Sequence, residues 1–136
     1  MLKPFISTAL FFVLTVFAVA AFAQTNTTTN GAEADDLYVL VKYKTTVEKF
    51  DDAVSGLNAL ILEVKKEPHF VNIKMLVDPA DKTNILLYEQ WDSEAYYKGD
   101  HMSTPHLQKF MVDARGFLAG PPEISFWKLN SNYTTD

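Results

Sequence analysis

Across residues 37–129 the apolar positions change period in a fixed order, and that order leaves few ways to fold the chain. Leu37-Tyr38-Val39-Leu40-Val41-Lys42-Tyr43 is β-branched and aromatic, turns alternately polar near its end, and reads as a strand. Thr45 and Glu48 fit a capping box. Val47, Phe50, Val54, Leu57, Ile61 and Val64 then recur at helical steps, until Lys65, Lys66 and Pro68 end the run. Residues 70–77 form a second strand, 78–84 have loop chemistry, and 85–91 form a third strand hairpinned to the second. Asp92 or Ser93 caps a short helix through Tyr97. Thr104-Pro105 opens a longer helix with a stripe of Leu107, Phe110, Met111, Ala114, Phe117 and Leu118. Gly120-Pro121-Pro122 stops it, and residues 124–129 form the last strand.

The order is βαββαβ, the ferredoxin-like α+β arrangement: an antiparallel four-stranded sheet with its helices on one face. The uncovered face, expected to carry Tyr38, Leu40, Val71, Ile73, Met75, Leu86, Tyr88 and Trp127 or their alternates along each strand, is too apolar for water. Such a face calls for a partner, most simply a second copy of the chain.

The ends have a different character. Residues 1–23 have a basic start at Lys3, an apolar run over residues 9–19 and a small-x-small site at Ala21-Phe22-Ala23. This is the form of a cleaved signal peptide. The competing reading is an uncleaved anchor over residues 5–23, weakened by Ser7, Thr8 and Thr15. Residues 24–36 read as a flexible polar leader, 37–130 as the folded domain and 131–136 as a tail. Asn26-Thr27-Thr28 and Asn132-Tyr133-Thr134 match the glycosylation acceptor pattern and lie in these tails. The expected location is outside the cytoplasm, periplasmic or secreted, with no membrane contact once the signal is removed.

The chain has no cysteine, so disulfides, thiol catalysis and thiolate metal sites are excluded. Its formal charge is −5, and the signal segment carries one Lys and no acid, so the remainder is more acidic still. A nucleic-acid partner, which demands a basic footprint, is not expected.

Chemistry-bearing residues concentrate in residues 88–110, YEQWDSEAYYKGDHMSTPHLQKF. His106 falls in the first turn of a helix, where the macrodipole disfavours an imidazolium. A neutral ring there can accept a phenolic proton or bind a hydroxyl; the alternative is a helix-start histidine making local hydrogen bonds. His101 positions a ligand or pairs with Glu89, or is a half-buried structural histidine. Glu89, in an apolar strand, needs a partner or a cavity. Trp91, Tyr88, Phe110 and Tyr97, with Phe50, Tyr96 and Phe117, can line a flat cavity or simply fill the core. His69 reads as surface. A zinc site from His101, His106 and Glu89 has no motif of known spacing, and no metal is expected.

Several of these segments together resemble the antibiotic biosynthesis monooxygenase family. They are Val47-Glu48-Lys49-Phe50, Tyr88-Glu89-Gln90-Trp91, Ser93-Glu94-Ala95 leading to His101, Ser103-x-Pro105-His106 before Phe110, and a Pro-Pro-x-Ile turn. The resemblance covers residues 37–129. It implies a dimeric α+β barrel and a cofactor-independent oxygenase that uses dioxygen on quinols or polyphenols. It makes His106 and His101 the catalytic candidates, with Glu89, Trp91, Tyr88, Phe110 and Tyr97 around the substrate. The haem-degrading relatives place an Asn on the first strand and a Trp on the central helix. Here Val39 and Leu40 stand at the first position and Tyr96-Tyr97-Lys98 lacks the Trp, although His106 resembles their haem-ligating histidine. The fold also hosts isomerases and proteins without known chemistry. A non-catalytic barrel binding a small apolar ligand is therefore the alternative.

Overall fold

The computed structural model describes residues 35–135, so the expected signal segment and most of the expected leader lie outside the described residues. The elements are β1 (Leu37–Lys44), α1 (Phe50–Val64), β2 (Phe70–Val77), β3 (Asn84–Trp91), α2 (Glu94–Lys98), a 3-10 turn (His101–Ser103), α3 (Pro105–Asp113), a second 3-10 turn (Ala114–Gly116) and β4 (Glu123–Lys128). The sheet is antiparallel with order β2-β3-β1-β4, as the βαββαβ order requires. Among the described residues no helix is long and apolar enough to cross a membrane.

Register decides which residues meet the helices. Leu37 pairs with Trp91, Val39 with Glu89 and Val41 with Leu87, so the odd-numbered positions of β1 and β3 share one face. That face packs on Ala53, Leu57, Leu60 and Val64 of α1 and on Phe110 of α3. Val39, Leu57 and Ile85 are sealed from solvent. Each such side chain contributes roughly 1.5–3 kcal/mol by leaving water.

β2 departs from the alternation expected of it. Its pairing with β3 slips between Phe70 and Asn72, where Val71 is an extra residue. Such a bulge exchanges the two faces for everything after it. Ile73 and Met75, expected on the uncovered face, therefore pack against the helix-side core. The uncovered face carries Tyr38, Leu40, Leu76, Leu86, Tyr88 and Trp127. Trp127 is 58% exposed and Leu76 48%.

The expected capping box does not form. α1 begins at Phe50 with no side-chain cap, and the Thr45 hydroxyl donates to the Phe117 carbonyl at 2.6 Å. Thr45 also bridges to Leu118, so it ties β1 to the chain beyond α3 rather than starting a helix. Val47 accordingly lies before the helix and is exposed. In α1, Gly56 permits a close approach: a Cβ there would lie 2.6 Å from the Phe117 ring.

Candidate functional site

α2 and α3 bring the histidines to the sheet. Ser93 caps α2 by accepting the Tyr96 N–H at 3.2 Å, and the helix ends at Gly99. The following 3-10 turn is held by Thr104, whose hydroxyl donates to the His101 carbonyl at 2.9 Å. The Gln108 amide donates to the Met102 carbonyl at 2.7 Å. Pro105 occupies the first turn of α3, as expected.

The centre of this region is a residue the sequence reading passed over. Glu67 lies just past α1, and its carboxylate is 5% exposed. Oε2 accepts from His101 Nδ1 at 2.8 Å and from the Tyr96 hydroxyl at 3.1 Å. Oε1 contacts His106 Nε2. One carboxylate thus ties together α1's end, the 3-10 turn and α3. His101, expected beside Glu89, pairs with Glu67 instead. Only partners 34 and 39 residues away mark Glu67 out. In the sequence, Lys66-Glu67-Pro68 looks like an ordinary polar helix end.

Between the sheet and the helices lies a cavity of about 540 Å³. Its wall is mostly aliphatic, from Val41, Leu60, Val64, Ile73, Leu87 and Leu107. Its buried polar lining is Tyr43, Glu89, Tyr97 and His101. His101 stacks on Tyr97 at 4.7 Å and lies tilted against Trp91 at 4.7 Å, and those two rings also touch each other at 5.3 Å. The Glu67 carboxylate accepts at Nδ1, so the neutral form of the ring carries its proton there and has its lone pair on Nε2. Nε2 has no protein partner among the described residues.

Glu89 takes one hydrogen bond, from the Trp91 indole N–H at 3.0 Å. Burial pushes its carboxyl up to about 7, the indole bond pulls it down, and the charge of Glu67 raises it further. Burial likewise pushes the Tyr43 and Tyr97 phenols well above their ordinary value, with the Glu89 charge adding to both.

The sequence-derived candidates separate in space. His101, Glu89, Tyr97 and Phe110 line the cavity. Trp91 is fully buried, touches Glu89 and His101, and does not line it. His106 contacts Glu67 and is not part of the cavity wall. Tyr88 lies on the opposite face of the sheet, because it is even-numbered in β3, and packs against Tyr38 at 5.8 Å. His69 is a surface residue paired with Asp92 at 2.6 Å. The wall also contains Tyr43 and Arg115, which the sequence reading did not single out. Among the described residues no group of three His, Asp or Glu is placed to hold a metal.

Comparison with known proteins places this geometry. The family model for antibiotic biosynthesis monooxygenase matches residues 36–113, more than half of the chain. A conserved protein of Methanosarcina mazei Go1 superposes with a TM-score of 0.66 at 18% identity, over 71% of this chain and 95% of its own. PA3566 from Pseudomonas aeruginosa gives 0.65 at 18% identity, over 74% and 100%. A solved antibiotic biosynthesis monooxygenase gives 0.63 at 17% identity, over 70% and 99%. No curated protein matches the chain. Likeness at these identities speaks for the shared ferredoxin-like fold, and the family model goes further: the chain belongs to the antibiotic biosynthesis monooxygenase family.

Proposed function

We propose that this protein is an exported, cofactor-independent monooxygenase for an electron-rich hydroxylated aromatic such as a quinol or naphthol. The observation that carries the reading is His101: a buried imidazole on a largely apolar cavity, with Glu67 on Nδ1 and Nε2 free. A base held this way takes a phenolic proton without first reorienting. The catalytic assignment moves from His106 to His101, because His106 spends its Nε2 on Glu67.

The electrons come from the substrate. His101 removes the phenol proton, and the resulting anion passes one electron to dioxygen, giving an aryloxyl radical and superoxide. Their recombination at a ring carbon, with the proton returned from His101, forms the C–O bond of a hydroperoxide, and loss of water leaves a quinone. One naphthol and one dioxygen thus give one naphthoquinone and one water, with no outside reductant. The aliphatic wall keeps water from the anion, while the Tyr97 hydroxyl offers a hydrogen bond to the developing oxygen charge.

Export rests on the residue 1–23 pattern. A homodimer through the uncovered sheet face rests on the apolar set that includes Leu76 and Trp127. The deciding experiment follows dioxygen uptake by the purified protein with a panel of dihydroxynaphthalenes and simple phenols. Uptake well above the buffer rate is expected. Rates no faster than buffer across the panel would leave a ligand-binding barrel in place of the enzyme. Light scattering is expected to give twice the mass of one chain.

A further inference from the structure

We infer that the ligand is two-ended: an aromatic hydroxyl at the closed end of the cavity, and a carboxylate or similar anion held at its mouth by Arg115. This rests on the hydroxyaromatic reading above and names its substrate class more closely.

The cavity wall sorts by exposure. Tyr43, Glu89, Tyr97 and His101 are 4–6% exposed and form the closed end. Arg115, with Gly120, Pro121 and Pro122, is exposed and forms the mouth. The closed end is rich in hydroxyl and carboxyl groups and suits a phenol. A carboxylate there would stand unpaired beside Glu89, whereas a phenolate formed there keeps its proton close by on His101.

Arg115 is the chain's single arginine. Its nearest carboxylate in sequence, Asp113, is taken by Lys109. Lys44, Lys49, Lys66, Lys98 and Lys128 also pair with carboxylates, but Arg115 makes no ion pair or hydrogen bond among the described residues. A guanidinium is planar and suits a carboxylate through two parallel bonds. A chain of formal charge −5 repels anionic ligands in general, so a lone cation at the cavity mouth selects where such a ligand enters and which way round it lies. A volume of about 540 Å³ accommodates a bicyclic aromatic between the two ends.

The test is calorimetric titration with two ligands that share a ring system, 6-hydroxy-2-naphthoate and 2-naphthol. At low salt the naphthoate is expected to bind roughly tenfold tighter or more, the range of a charge-assisted hydrogen bond. Arg115→Gln should bring the two ligands to parity, and Arg115→Lys should keep part of the difference. Equal affinity in the unaltered protein overturns the Arg115 assignment while the hydroxyaromatic reading stands. An anion preference that survives Arg115→Gln overturns it as well. If neither compound binds, the cavity reading falls and takes this inference with it.

Discussion

Two buried carboxylates serve this region, one bound to His101 and one in the same cavity wall, and the structure treats them very differently. Glu67 is met by three donors, His101, His106 and Tyr96, which between them engage both of its oxygens. Glu89, equally deep, receives one donor, the indole of Trp91, and is part of the cavity wall. A buried acceptor whose lone pairs are filled by protein has nothing left for a ligand, and its work is to hold its donors in place. A buried acceptor with capacity to spare is costly unless a ligand or a proton completes it. The contrast assigns Glu67 to positioning and Glu89 to the ligand.

The largest expected effect concerns the ring that Glu67 holds against the cavity. His101→Ala should lower kcat/KM for hydroxynaphthalene oxidation by about 10²–10⁴-fold, the usual contribution of a positioned base. Circular dichroism should remain that of the native fold. A variant that keeps its rate would break the contrast at its root, because Glu67 would then be positioning nothing of consequence.

Next comes Glu89, where the expected effect is on stability. Its folded value near 7 lies above the ordinary carboxyl value of 4.5. The stability it contributes is therefore complete below about pH 4.5 and is lost as pH rises through 7. The loss amounts to about 3 kcal/mol on the alkaline side. Glu89→Gln removes the titration and keeps an oxygen for the indole. Urea unfolding should show the variant more stable than the parent at pH 8 and nearly equal to it at pH 4. A parent whose stability rises between pH 5 and 8 relative to the variant would mean that Glu89 ionises without cost, and that it is not starved of partners.

The same contrast explains what was legible beforehand. Strands and helices follow from local period and end signals, so Phe70–Val77 and the Pro105 start of α3 appear where the residues indicate. The faces of β2 did not follow, because a bulge is one unpaired residue with no composition of its own. Glu89 was visible because an acid in an apolar strand is anomalous. Glu67 was not, because an acid at a helix end is ordinary, and only the meeting of three distant elements buries it. The contact of His106 with Glu67 is hidden for the same reason. Its helix-start position was read correctly, but the carboxylate waiting for it could not be seen from local spacing.

Glu67→Gln tests that positioning more gently. The amide offers one acceptor oxygen and one donor NH₂ where the carboxylate offered two acceptors. Whichever way it turns, one imidazole meets an N–H. If that ring is His101, it must move its proton to Nε2 and cease to be a base. The expected loss in kcat is roughly 10–100-fold, typical of losing a group that orients a working histidine. The KM for 2-naphthol should change little, which separates lost orientation from a collapsed cavity.

The smallest effect belongs to His106, and its size sharpens the contrast most. Both histidines bind the same carboxylate, so their removal leaves the same acceptor short of one donor. They differ in what can replace the ring. The His101 side chain is 6% exposed, whereas that of His106 is 22% exposed. Water can enter behind a deleted His106 and supply the missing hydrogen bond to Oε1, at little more than the cost of ordering it. His106→Ala should therefore reduce the rate only a few-fold and leave the His101 pairing intact. A loss as deep as that of His101→Ala would return the proton-accepting role to His106 and make the pairing of His101 with Glu67 a structural tie.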